Sequence, residues 1–332
     1  VCFQGQTHGN SGFLLSRESA KNLIKEAPES TEVVRSYMTA NAMLSSSPVS
    51  VKKYVIDFGN RDVTNAARYA GAFRTIQETV LPDREIAARK EEERNAGALE
   101  KNPRARVNYH HSNFLRHWWQ LSYSREEMKT VLSSLSRYIV CSRVTKRPIF
   151  VFLPSSIRPN DSLQVFAFED DYSFGILASN IHWQWFMAQC STLTGRYRYT
   201  SNTVFDTYPW PQEPSYKAVV RVAEKARALR AERDRIMTEN SWSLRTLYQS
   251  LEIPGQHPLK DAANELDLAV RIAYSMDEAD EPLERLLSLN QAVAGRERAG
   301  EKVIAPGLAA LGGDFVETYK EFVSPDSIVR PA

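Results

Sequence analysis

Three short apolar runs constrain the fold most: Tyr138–Arg143, Ile149–Pro154 and Leu163–Phe168. Each is rich in β-branched and aromatic residues and too short to be a useful helix. Turn signals separate them: Lys146-Arg147-Pro148, Pro154-Ser155-Ser156 and Pro159-Asn160-Asp161. That spacing predicts an antiparallel sheet. The flanks read differently. Val63 to Ala98 carries a helical pattern broken or kinked at Pro82, and Tyr216–Ser250, Leu259–Ala273 and Glu281–Glu297 carry three more. The expected class is therefore α+β: an antiparallel or mixed sheet flanked by helices, then a helical domain. We place the divisions at residues 1–100 (strands and helices leading in), 101–214 (the sheet-bearing core) and 215–332 (helical).

Smaller elements follow from local chemistry. Ser16 is placed to cap a helix whose stripe is Ala20, Leu23 and Ile24, with Pro28 ending it. Thr31 to Met38 reads as a second short helix, Lys53–Phe58 as a strand and Lys129–Ser136 as a helix. Asp170-Asp171 caps a single aromatic-rich helix running from Tyr172 to Gln189. Trp118-Trp119 forms a packed aromatic corner. The tail after Pro306 is expected to be loosely packed.

Net charge is only +2, but it is unevenly spread. Residues 1–100 balance to zero, whereas residues 101–200 hold 13 basic and 6 acidic side chains, and residues 201–332 sum to −5. A polyanion would sit most easily on the middle third. The acidic balance of the last third argues against a large nucleic-acid contact there, although Arg227, Arg230 and Arg233 could line one helix face. It also motivates an alternative, a protein-interaction subunit of a multi-subunit defence system.

Catalytic signatures are missing from the sequence. There is no P-loop, no GxSxG elbow and no HExxH, and Gly9-Asn10-Ser11-Gly12 is too weak for a dinucleotide or adenosyl site. Asp57, Asp62, Asp170 and Asp171 are candidate metal carboxylates that nothing groups together. Cys2, Cys141 and Cys190 have neither metal-ligand nor paired spacing. No metal site and no catalytic residue is assigned. The unpaired cysteines, the lack of a membrane-length apolar run and an N-terminus unlike a signal peptide predict a cytoplasmic, non-membrane protein. A chain starting Val1-Cys2-Phe3 without Met reads as a piece of something longer.

One segment concentrates nucleic-acid chemistry. Thr194-Gly195-Arg196-Tyr197-Arg198-Tyr199-Thr200, leading into Val204-Phe205-Asp206-Thr207-Tyr208-Pro209-Trp210-Pro211, packs arginines, aromatics and hydroxyls into a non-helical stretch. Such groups hold phosphates, stack on bases or read base edges. Tyr208, Trp210 and their prolines read as a rigid strap. Arg143, Lys146 and Arg147 end one strand and form its turn, where phosphate and base contacts are both open.

Several segments match a known family in order: Phe3-Gln4-Gly5 with Gly12-Phe13; Val55-Ile56-Asp57-Phe58; Ser142-Arg143-Val144 with the Phe-rich strand to Pro154; Phe168 through Ser179 with His182 and Trp185; Arg198-Tyr199-Thr200 with Val204–Pro211; and Asp261–Asp267 with Ala269-Val270. Over about residues 1–308 the chain resembles the C-terminal, target-recognition part of S-adenosylmethionine-dependent adenine-N6 DNA methyltransferases, of the MmeI-like restriction-and-modification sort. The resemblance implies double-stranded DNA as partner. It implies a catalytic methyltransferase domain, in cis before residue 1 or on a separate chain, that would use S-adenosylmethionine. Neither that domain's Asn-Pro-Pro-Tyr motif nor its donor-binding glycines occur here, so this chain is expected to bind no cofactor and to lack activity alone. One half of a split methyltransferase is a further alternative. By the same resemblance, Thr192, Thr194, Gly195 and Arg196 are expected to choose bases, with Arg143 as a further base contact. Lys146, Arg147, Arg198 and Tyr199 are expected to meet phosphate, with an architectural role open for the last two.

Overall fold

A computed structural model describes residues 1–193 and 196–329 of the 332, with the side chains of residues 192 and 193 excepted. Its centre is a four-stranded antiparallel sheet in the order Cys2–Gln4, Leu163–Phe166, Arg137–Ser142, Val151–Pro154. The three apolar runs thus form the strands expected of them. Arg137–Ser142 and Leu163–Phe166 are buried along their whole length. This explains why they read as continuous apolar runs and not as alternating ones: both faces are covered.

A second, mixed sheet runs Leu14–Ser16, Lys53–Ile56, Val34–Met38, Ile157–Pro159, the last pair parallel. Here the expected helix over Thr31–Met38 is wrong. Pro28–Glu32 is a 3-10 turn, and Val34–Met38 is a strand with Val34, Tyr37 and Met38 buried. Pairing with two distant segments, and the burial of β-branched and aromatic side chains, override a helical pattern too short to hold itself.

The expected caps at Ser16 and Asp170 are present, and four caps not singled out in the sequence join them. Ser16, Asp62, Asp170, Ser179, Ser215 and Ser243 each accept a backbone N–H at the first turn, a contribution of about 1 kcal/mol per cap. Pro82 lies at the start of the helix Leu81–Lys101. The expected single helix over Tyr172–Gln189 is two, Asp171–Ala178 and Asn180–Gln189. Ser179 is extended and caps the second from His182 N, while Asp267 accepts the Asn180 N–H at 2.7 Å. The apolar stripe passes through the break, so periodicity alone does not reveal it.

From Tyr216 onward the described residues form only helices, turns and loops. The long helix Tyr216–Asn240 packs against Asp171–Ala178 and Pro258–Ala273. Gly175 permits this approach, since a Cβ there would fall 2.6 Å from Val222 Cγ1. The larger hydrophobic core includes Val140, Phe166, Trp185, Val222, Leu266 and Leu308. It therefore runs without interruption across residue 214, where the sequence placed a division. A smaller core gathers Phe13, Tyr37, Phe58, Ile76 and Trp119.

The tail is not loose. Leu308, Phe322 and Ile328 are buried, and the Ile328 N–H bonds the Phe152 carbonyl at 3.1 Å. Ser324 and Asp326 close over a buried charge cluster. Asp171 accepts from Arg137 Nη2 at 2.9 Å, from Arg227 Nε at 2.6 Å, from Arg230 Nη2 and from Ser324 Oγ at 2.8 Å. Asp326 bridges Arg137 and Arg230 from the other side. Burial alone would raise the Asp326 carboxyl, but hydrogen bonds and charge from Arg230, Ser324 and Arg137 outweigh it and hold it well below the ordinary range.

Candidate nucleic-acid interface

A third sheet, of three short strands, lies beside the larger core. Ser191–Leu193 and Arg196–Arg198 form a hairpin with Ser191 opposite Arg198 and Leu193 opposite Arg196. Val144–Thr145 adds the third strand, with Val144 opposite Arg198. Tyr199 N–H donates to the Arg143 carbonyl at 2.9 Å, which extends this pairing by one step. Two segments some fifty residues apart are thereby joined, and Arg143, Lys146 and Arg147 come to the same sheet as Arg196 and Arg198. Thr194 and Gly195 lie outside the described residues, as does the side chain of Thr192.

Strand periodicity sorts the Arg-Tyr-Arg-Tyr run. Arg196 is exposed and Arg198 half-buried, whereas Tyr197 packs its ring against Phe186 and Tyr199 is fully buried. Tyr199 stacks on Phe186 with centroids 5.4 Å apart and meets the edge of Phe166 at 5.2 Å. Its hydroxyl bonds His182 Nε2 at 2.8 Å, and His182 Nδ1 bonds the Leu177 carbonyl at 2.8 Å. A carbonyl can only accept, so Nδ1 carries the proton and Nε2 accepts from the tyrosine. Burial lowers the His182 pKa to about 4, which keeps the ring neutral near neutral pH. The expected phosphate contact from Tyr199 is therefore corrected: its hydroxyl faces the core and anchors the hairpin.

The strap Val204–Pro211 is also held inside. Trp185 Nε1 donates to the Val204 carbonyl at 3.2 Å, Tyr274 Oη to the Pro209 carbonyl at 2.9 Å, and Asn290 Nδ2 to the Thr207 carbonyl at 2.7 Å. Tyr208 and Trp210 are buried.

The cations on the hairpin sheet are different. Lys146 and Arg147 are exposed and Arg143 is half-buried. Thr145 Oγ1 clamps the turn by donating to the Arg147 carbonyl at 2.6 Å. The Arg147 guanidinium sits 5.9 Å from the Trp183 ring centre. None of Arg143, Lys146, Arg147, Arg196 and Arg198 has a carboxylate within ion-pair distance among the described residues. Burial lowers the Arg143 pKa below its ordinary value, and the positive Arg198 and Arg125 add to that effect. Arg125 was not singled out in the sequence. It follows an ordinary Ser-Tyr-Ser stretch and opens a helix, and no local signal marks it.

Arg227, Arg230 and Arg233 do not form an outer face. Arg230 and Arg233 are buried, and Arg227 and Arg230 are spent on Asp171. Arg233 Nη1 donates to the Phe150 carbonyl at 2.8 Å. The four carboxylates considered for metal have partners inside the fold: Asp57 takes Gln6 and Lys129, Asp62 and Asp170 cap helices, and Asp171 takes arginines. No group of three metal-ligating side chains occurs among the described residues. No helix among them is long and apolar enough to cross a membrane.

The glycine-bearing loop near the N-terminus does not fit a nucleotide donor. Residues 11–13 form a 3-10 turn capped by Asn10, and the space beside Gly12 is filled by Thr79, whose Oγ1 lies 2.7 Å from where a Cβ would sit.

The family model for the MmeI target recognition domain matches residues 3–212. Among solved structures, the chain is similar to the Type IIL restriction-modification enzyme MmeI in complex with DNA, with a TM-score of 0.65 and 17% sequence identity. That similarity covers 89% of this chain and 35% of the MmeI chain, so this chain spans about a third of the enzyme it resembles. At that identity the likeness is one of fold. No curated protein matches the chain.

Proposed function

The chain belongs to the MmeI target recognition domain family, and we propose that it is the sequence-reading module of a site-specific adenine-N6 DNA methyltransferase in a restriction-modification or phage-defence system. Methyl transfer then belongs to a separate catalytic domain that uses S-adenosylmethionine. No step of that chemistry is assigned to residues here, because the one candidate glycine loop is filled by Thr79. What this chain contributes is register and base choice on the duplex.

The carrying observation is the hairpin sheet. It gathers five cations from two segments, leaves them without carboxylate partners and fixes its inner face to the core through Tyr199 and His182. Unpaired cations on a rigid element match a polyanion, and the exposed Arg196 has the reach and fork geometry to read guanine O6 and N7. Arg198, Lys146 and Arg147 then hold phosphates beside it, with Arg143 shared between the two tasks.

Binding-site selection from a random duplex library with the intact chain tests this reading. Arg196→Ala is expected to weaken the selected site by about 1–3 kcal/mol and to relax one base position. Equal losses on selected and random duplexes would instead make Arg196 a phosphate contact. Failure of the wild-type chain to bind duplex DNA at low salt, with a protein partner copurifying, would favour the interaction-subunit reading.

A further inference from the structure

The hairpin does not exhaust the unpaired arginines. Four guanidinium Nε atoms are buried without any hydrogen-bond acceptor among the described residues: that of Arg233 in the long helix, and those of Arg125, Arg143 and Arg158. Buried donors are nearly always satisfied, so such atoms call for a physical reason. Arg125 and Arg158 lie where the two cores meet: Leu121 and Met128, on either side of Arg125, belong to the smaller and the larger core, and the strand of Arg158 pairs with Val34–Met38. Arg143 bonds through its N–H to the Ser162 carbonyl. Arg158 sits on the strand Ile157–Pro159, opposite Tyr37. Arg125 reaches across to Gln4 Oε1 at 3.3 Å, with its guanidinium 5.2 Å from the centre of the Tyr123 ring.

Positive charge is concentrated there without an ion pair among the described residues, although Asp161 offsets part of it at Arg143, and Asp57 and Glu32 at Arg35. Arg35 lies two residues from Tyr37 on one strand, hence on the same face as Tyr37. Arg35 and Arg158 repel one another, and Arg61 adds to the charge around Arg35. Arg125 and Arg198 do the same around Arg143. Neither Arg125, Arg158, Arg35 nor Arg61 makes an ion pair among the described residues. The nearby Asp57 is already committed to Lys129 and Gln6. Arg125 also adopts a left-handed backbone, with φ of 56°, which is uncommon for a residue with a Cβ. In the Asp171 cluster, by contrast, the buried Arg137 and Arg230 are paired with carboxylates.

We propose that Arg125 and Arg158, flanked by Arg35, form a phosphate-tracking strip that continues from the hairpin through Arg143 onto the smaller core, so that the duplex backbone is held by both cores. The inference rests on the DNA-recognition reading above and extends it to residues outside the hairpin. Their Nε–H groups are covered, but Arg125 and Arg158 are only half-buried, so the remaining guanidinium N–H groups can meet a phosphate. Arg143 is the link: its carbonyl accepts the Tyr199 N–H of the hairpin, its own N–H donates to the Ser162 carbonyl, and both Arg198 and Arg125 act on its charge. An acidic protein surface would satisfy the same charges, but only DNA makes the strip continuous with the base-reading element.

The test is a salt titration of affinity, using the intact chain and a labelled random-sequence duplex. Each phosphate contact contributes about 0.9 to the slope of log affinity against log salt. R125Q/R158Q is expected to flatten the slope by about 1.8 and to weaken selected and random duplexes alike, while R125K/R158K keeps the wild-type slope. R125Q alone reads half the change, so the test survives a folding defect in the double variant, which a thermal melt reports. An unchanged slope in R125Q and R125Q/R158Q, with the wild type still binding, overturns this inference and leaves the recognition reading intact. Loss of discrimination between selected and random duplexes overturns the phosphate assignment in favour of base contact. A wild-type chain that binds no duplex at low salt overturns both readings.

Discussion

Asp171→Asn removes the charge at the centre of the arginine cluster, and the structure sets the size of the effect. The Asp171 side chain has 0% exposure, and Arg137 and Arg230 are 4% and 2% exposed. Both guanidiniums are packed on aromatic rings, Arg137 at 3.6 Å and Arg230 at 5.0 Å from the Phe152 centre, so neither can swing to water. With the charge gone they face each other with only Asp326, which is 37% exposed and correspondingly screened. Breaking a buried pair from one side typically costs about 3–5 kcal/mol, because the remaining charge is left uncompensated. Here two such charges remain, which places the expectation at the upper end, about 4–5 kcal/mol. Against a total stability of about 5–15 kcal/mol for a folded domain, the variant is expected to be marginal. Urea denaturation should show the midpoint falling steeply. Limited proteolysis should find residues 318–329 cleaved faster, since Ser324 and Asp326 lose their anchor. Asp326→Asn, at the wetter end of the cluster, should cost markedly less. An Asp171→Asn chain within about 1 kcal/mol of wild type would refute the reasoning, because it would mean the guanidiniums are hydrated or relax without cost.

Other expectations concern the hairpin anchor. His182 is neutral in the fold because burial lowers its pKa from 6.5 to about 4. The unfolded chain therefore binds the proton first, and the stabilisation is complete above 6.5 and lost as pH falls towards 4, by about 3 kcal/mol in all. Asp170 and Asp267, each raised to about 6 by burial, act in the opposite direction, favouring the fold as pH falls through 6. The histidine component must therefore be read as the stability gap between wild type and His182→Gln, which should narrow from pH 7 to pH 4; a gap independent of pH would contradict it. Tyr199→Phe strips the donor from His182 Nε2 and should cost about 1–3 kcal/mol of stability while leaving the salt slope of DNA binding unchanged. A slope flattened by about 0.9 would restore Tyr199 as a phosphate contact.

The readable parts of this molecule were those whose physics is local. The strands of the central sheet announced themselves because burial on both faces demands unbroken apolar runs. The caps Ser16 and Asp170 did so because each acts on a backbone N–H within its own first turn, whereas Ser179 was hidden inside an unbroken apolar stripe. Val34–Met38 was misread because its strand partners lie near residues 55 and 158, and nothing nearby records them. Asp171 and Arg230 looked like a second cap and a surface charge, since the contact that unites them spans 59 residues. Proximity of Arg143 to the hairpin was unreadable for the same reason. The run Arg-Tyr-Arg-Tyr was legible as a non-helical cluster of cations and rings, but not its two faces: Tyr199 was expected at phosphate, and its burial depends on Phe166, Phe186 and His182, which lie 13 or more residues away.

That two-faced strand also bears on how such a protein changes over time. Tyr197 and Tyr199 secure the hairpin on the inside, and Arg196 faces solvent on the outside. Replacing an outward side chain leaves the anchoring contacts untouched, so new preferences for target sites can be sampled without passing through unfolded intermediates. If the proposed reading holds, exposed positions on such a strand are exchangeable letters on an anchored carrier, and the cost of altering one falls on which DNA is chosen, not on whether the chain folds.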